Sequence, residues 1–191
     1  MPTQLRLAVP AVLLAIALAI AACPLGAQEL PRQAGEWAIQ TVDGKQIRIG
    51  SYRGKVVVLA FILTTCPHCQ KTVGILSKLQ PEYAPRGVQI LASAAEAGAK
   101  TSVPGFVQNF HPPFPVGYND DAQKLLDFWQ YARARFPLMP IVLLIDRQGN
   151  VRFEHEGHDD KFFGDQQEQN FRTELDELLK SPARKVGAPK K

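Results

Sequence analysis

Eight consecutive apolar residues, Val56-Val57-Val58-Leu59-Ala60-Phe61-Ile62-Leu63, run directly into Thr64-Thr65-Cys66-Pro67-His68-Cys69. A β-branched and apolar run of that length suits a strand buried on both faces, at the centre of an α/β sheet. The segment from Pro67 onward has the marks of a helix start. Pro67 fits the first helical position, where its missing N–H costs nothing, and Val73, Leu76 and Leu79 recur on one face of residues 67–79. The pattern constrains the chain to a strand–turn–helix unit with two cysteines at its corner.

The rest of the chain builds around that unit. Residues 28–35 read as a linker, and the alternating segments 37–42 and 46–49 flank Asp43-Gly44, a hairpin turn. Further strands are expected at 88–92, 114–118 and 141–145, with an edge strand at 151–155 after the turn from Asp146 to Asn150. Helices are expected over 103–110, stopped by His111-Pro112-Pro113, and after Asp120 and Asp121, where Leu125, Leu126, Trp129 and Ala132 share a face. Pro137 and Pro140 break that helix, and Phe171, Leu175, Leu178 and Leu179 mark a last one. The order predicts an α/β fold: a mixed central β-sheet flanked by helices, with an N-terminal β-hairpin, in one domain over residues 34–180.

Residues 1–27 have the layout of a secretory signal: Arg6, an apolar stretch over residues 7–22, then small residues. The stretch falls short of the ~20 residues that span a bilayer, which favours a leader over a permanent anchor. Two processing outcomes fit. Ile20-Ala21-Ala22-Cys23 resembles a bacterial lipobox, which would end the signal at Ala22 and leave Cys23 lipidated as an N-terminal anchor. Cleavage after Gly26-Ala27 would instead release a soluble form. Either places the domain outside the cytoplasm, in the periplasm or facing the cell exterior. The net charge of +4 carries no sign of nucleic-acid binding, because Arg184, Lys185, Lys190 and Lys191 account for all of it. Residues 181–191, with Pro182, Gly187 and Pro189, read as a disordered basic tail. No glycine-rich phosphate loop is present, so no nucleotide cofactor is implied.

With Cys23 in the leader, Cys66 and Cys69 are the two cysteines of the exported domain. A disulfide across two residues closes too short a loop to staple a fold, since the entropic gain grows with loop length. Its use is chemical. At a helix start, Cys66 faces unpaired N–H groups and the positive end of the helix dipole, which lower a thiol from ~8.5 to about 3.5–7.5. A protonated His68 would add to this. Cys69, one turn on, is placed to attack a mixed disulfide formed on Cys66. A resident metal is not expected: a zinc site wants a second pair of ligands, and His155 and His158 lie in a polar stretch that reads as exposed.

These residues resemble the thioredoxin superfamily. The hairpin with Asp43-Gly44-Lys45, the segment Tyr52-Arg53-Gly54-Lys55, and Met139-Pro140 followed by Ile145 to Val151 are similar to its exported TlpA/ResA branch. The resemblance covers residues 34–180 and implies a thioredoxin-like fold and a thiol–disulfide oxidoreductase. It implies a redox-active disulfide between Cys66 and Cys69, supporting roles for Pro67, His68, Met139 and Pro140, and a cis Met139–Pro140 bond beside the cysteines. No cofactor is implied. The partners implied are exported dithiol or disulfide proteins and a membrane redox partner. The chain departs from the family at Thr65, where a Trp is common, and at Ala60 and Thr72, where acids occur. Pro67-His68 is like the dipeptide of the disulfide oxidant DsbA, which leaves the redox direction open. A copper-binding chaperone of the SCO type is an alternative, though its cysteines are spaced one residue wider. A thiol peroxidase is a weaker one, since Leu63 stands where its signature has Thr.

Overall fold

The computed structural model describes residues 30–119, 121–129 and 137–181. The leader, with Cys23, and residues 182–191 of the tail lie outside the described residues. Eight strands form one sheet: β1 (Arg32–Gln33), β2 (Ala38–Thr41), β3 (Gln46–Arg48), β4 (Val56–Ile62), β5 (Val88–Ala94), β6 (Val116–Tyr118), β7 (Ile141–Ile145) and β8 (Asn150–Glu156). Their spatial order is β1-β8-β7-β4-β5-β6-β2-β3. Helices α1 (Pro67–Tyr83), α2 (Ala99–Phe110), α3 (Ala122–Trp129), α4 (Asp160–Phe163) and α5 (Gln167–Lys180) cover it.

Strand β4 is central, parallel to β5 and antiparallel to β7, and all seven of its residues are buried. Its alternate side chains feed two cores, as the pleat requires. Val56, Val58, Ala60 and Ile62 pack with Val73, Leu76 and Leu79 of α1 and with Phe171, Leu175 and Leu178 of α5. Val57, Leu59 and Phe61 face the opposite side with Trp37, Ile39, Phe128 and Trp129. There Phe61 makes edge contacts with Trp37 and Trp129, centroids 5.3 and 5.2 Å apart. Such pairs add to what burial alone contributes. The expected stripe on α3 keeps Leu125 and Trp129, joined by Phe128. The side chains of Leu126 and Ala132 lie outside those described.

Several boundaries differ from the sequence reading. The stretch read as a linker contributes β1, which pairs with β8, so β8 is an inner strand rather than an edge. Arg32 on β1 is buried and meets Glu154 of β8 at 2.7 Å, a pairing no local pattern reveals. Helix α1 continues through Pro81 to Tyr83, α2 begins at Ala99, and α4 has no counterpart in the sequence reading. The hairpin β2–β3 is present and joins the main sheet through β6. At that junction Gly117 approaches Gln40 so closely that a Cβ would meet its carbonyl oxygen at 2.3 Å. Among the described residues no helix is long and apolar enough to cross a membrane.

Candidate functional site

The corner between β4 and α1 carries the two cysteines. Cys66 is the N-cap residue of α1, with extended backbone, and its carbonyl accepts from the Gln70 N–H at 3.0 Å. Pro67 takes the first helical position, as its fixed φ favours. Cys66 is partly exposed, and Pro67 and His68 are exposed, whereas Cys69 is fully buried in the α1-side core. The sulfurs are close but unbonded. The Cys69 Sγ also accepts from the Leu63 N–H at 3.4 Å.

The two thiols differ in environment. Burial pushes the Cys69 thiol up to about 12, the Leu63 N–H opposes this, and the charges of Cys66 and Glu96 add to it. Cys69 therefore holds its proton at neutral pH, while Cys66 is the sulfur solvent can reach.

Glu96 is the residue the sequence reading missed. It follows β5 in an Ala- and Gly-rich loop whose pattern gives no hint of a role. One carboxylate oxygen accepts from the Thr64 N–H at 3.2 Å, the Thr64 hydroxyl at 2.5 Å and the Ser102 hydroxyl at 2.7 Å. The other is buried with no hydrogen-bond partner among the described residues. Burial alone would raise this acid, but the Thr64 and Ser102 donors hold it below the usual carboxylate range. Ala60 and Thr72 carry no acid, yet tertiary folding brings one from another strand end. Thr72 is itself buried and satisfied, donating to the His68 carbonyl at 2.9 Å and accepting from Gln167 at 2.8 Å.

Met139–Pro140 is cis, as is Leu30–Pro31. Met139 packs against the same core as Cys66, and Pro140 is buried at the start of β7. His158 is half exposed, but His155, read as exposed, has a largely covered side chain held between Asp159 and Glu174. Its neighbours in sequence are polar, and only the packing of α4 and α5 covers it. Among the described residues no group of three or more His, Cys, Asp or Glu is disposed to hold a metal ion.

A family model described as Redoxin matches residues 27–175. The thiol-disulfide oxidoreductase ResA of Bacillus thuringiensis subsp. konkukian is 29% identical over 133 residues, covering 70% of this chain and 73% of that protein. ResA of Bacillus anthracis is 31% identical over 123 residues, covering 64% and 67%. Among solved structures, a thioredoxin-family thiol:disulfide interchange protein from Chlorobium tepidum superposes with a TM-score of 0.65 at 23% identity, covering 80% of this chain and 99% of that one. That last likeness speaks to the fold, the first two to the chemistry. This chain belongs to the redoxin family and is a thioredoxin-fold thiol–disulfide oxidoreductase whose substrates are proteins that carry cysteines.

Proposed function

We propose that Cys66 and Cys69 carry the exchange, with Cys66 attacking and Cys69 resolving. The carrying observation is the asymmetry of the pair: one sulfur is accessible at a helix start, and the other is wholly buried with its thiol at about 12. The Cys66 thiolate attacks a client disulfide, forming a Cys66–client disulfide and expelling one client sulfur as thiolate. Cys69 then gives up its proton and attacks the Cys66 sulfur. The second client thiolate leaves, the client is reduced, and the pair is left as a disulfide. Run backwards, the same steps oxidise a client dithiol. Glu96, with an unengaged oxygen in the same electrostatic environment, is the acceptor for the Cys69 proton. The reduction potential of the pair decides the direction. Cys69→Ser is expected to trap clients on Cys66 as mixed disulfides and Cys66→Ser to trap none. The opposite pattern overturns the assignment.

The N-terminal layout supports export, with residues 1–27 as the signal and Cys23 as a lipid attachment point if processing ends at Ala22. On this reading the domain over residues 34–180 works outside the cytoplasm on exported proteins, and a membrane redox partner resets the pair. Mass analysis of the N-terminus of the cell-derived protein tests this: retention of residues 1–22 refutes it.

A further inference from the structure

His155 stands in strand β8, opposite Val142 of β7, with 13% of its side chain exposed. Its ring lies flat on Phe162, centroids 3.5 Å apart and planes 7° apart. Nδ1 is 2.8 Å from Asp159, and Nε2 is 2.9 and 3.1 Å from the two oxygens of Glu174. A neutral imidazole has one donor and one acceptor nitrogen. Since both nitrogens face carboxylates, only the doubly protonated ring satisfies the arrangement. The carboxylates occupy opposite sides of the ring, so no single ion could take all three groups as ligands. This geometry is an imidazolium clamp.

The clamp anchors a segment bonded both to the loop before Pro140 and, through Thr72, to the first turn of α1. On one side, the Gly157 N–H donates to the Leu138 carbonyl at 2.8 Å. This bond holds the backbone just before Met139–Pro140. On the other side, Asp159 caps α4 through the Phe162 N–H at 3.1 Å. Beyond α4, Gln167 donates to Thr72, whose hydroxyl donates to the His68 carbonyl. Lys71 of α1 reaches the Phe163 and Gly164 carbonyls at 3.4 and 3.3 Å.

We propose that His155 is a positioning residue for thiol–disulfide exchange, its charged ring locking residues 154–167 as a brace between the loop before Pro140 and the first turn of α1. The inference rests on the cysteine pair being the redox site. The ionisable groups around the ring are Asp159 on the α4 side and Glu174 on α5, with His158 and Glu156 paired beside Asp159 at 3.2 Å and Lys71 beyond them on α1. Strand β7 presents only Val142 opposite the ring. Burial alone would lower the ring, but the hydrogen bonds and charges of Glu174 and Asp159 win and raise it above the ordinary 6.5. The brace is therefore intact below that value and is lost as pH rises through the folded midpoint.

The test uses the full chain in its disulfide form, in which neither thiol titrates. Between about pH 5 and 10, NMR follows the His155 ring C–H together with the Leu138 and Thr72 amides. Both amides are expected to shift with the ring's midpoint, and that midpoint to lie above 6.5. Glu174→Gln should lower the midpoint and carry both amide steps down with it. His155→Gln should abolish the steps, and His158→Gln should retain them. Amides that stay flat through the His155 midpoint, or that follow His158, overturn the proposal. If His155→Gln does not fold, the Glu174→Gln titration decides alone. In the reduced protein the exchange rate per Cys66 thiolate should fall severalfold across the same midpoint, and an unchanged rate refutes the positioning role. Were the cysteine assignment itself wrong, exchange would fail at every pH while the amide steps remained.

Discussion

Gly157→Ala places a methyl group where the structure has none to spare. A Cβ built on Gly157 lies 2.4 Å from the Met139 carbonyl oxygen, 2.8 Å from its carbon and 3.1 Å from the Leu138 carbonyl oxygen. All three atoms are backbone, so no side chain can swing aside. To restore ordinary contact the strand end and the loop before Pro140 must part by about 1 Å. That movement strains the Gly157–Leu138 hydrogen bond, in total about 1–3 kcal/mol by analogy with overpacked cores. For a chain of this size the loss lowers Tm by about 2–10 °C. Because the displaced atoms adjoin Met139–Pro140, exchange should suffer out of proportion to stability. A misplacement of about 1 Å beside reacting groups can cost on the order of 100-fold in rate. The assay pairs thermal unfolding with the rate of disulfide exchange toward a model protein disulfide, at a temperature where the variant is fully folded. Gly74→Ala is the control: a Cβ there meets nothing within 4 Å, and the position is an exposed turn of α1. It should raise stability by about 0.5–1 kcal/mol. A Gly157→Ala protein with wild-type Tm and wild-type rate would refute the reasoning.

Glu96→Gln keeps an acceptor for the Thr64 and Ser102 donors but removes the charge. The Cys69 thiol should titrate lower than its present value of about 12, while resolution of a trapped mixed disulfide slows at neutral pH. Absorbance titration and stopped-flow release check the two halves, and unchanged release removes Glu96 from the mechanism. Iodoacetamide at about pH 8 should label Cys66 in the folded dithiol and reach Cys69 only after denaturation, read by mass spectrometry. Arg32→Ala should destabilise the domain by about 3–5 kcal/mol, because it leaves Glu154 largely buried without its partner. A shift in denaturation midpoint near zero would return residues 28–35 to the status of a linker.

The sequence alone determined the parts of this protein that depend on neighbours along the chain. The apolar run of β4, the proline after Cys66 and the helical spacing of Val73, Leu76 and Leu79 are local signals, and strand, corner and helix formed where they pointed. The spacing of Cys66 and Cys69 is likewise local, since one helical turn brings residues three apart together whatever the rest does. The hairpin at Asp43-Gly44 and the buried strand β7 were legible for the same reason. Tertiary structure decided what depends on distant partners. A two-residue strand such as β1 has no period to detect and exists because β8 and Glu154 are there to receive it. Glu96 is one acid in an alanine-rich loop until the sheet carries the end of β5 alongside the end of β4, where Thr64 and the cysteines lie. His155 reads as exposed in a polar string, because charge along the chain says nothing of which charges fold over it. Its burial between Asp159 and Glu174 follows from α4 and α5 closing on β8. The two cysteines and their corner are written in sequence; the surroundings of Glu96 and of His155 are written in contacts between segments 19 to 95 residues apart.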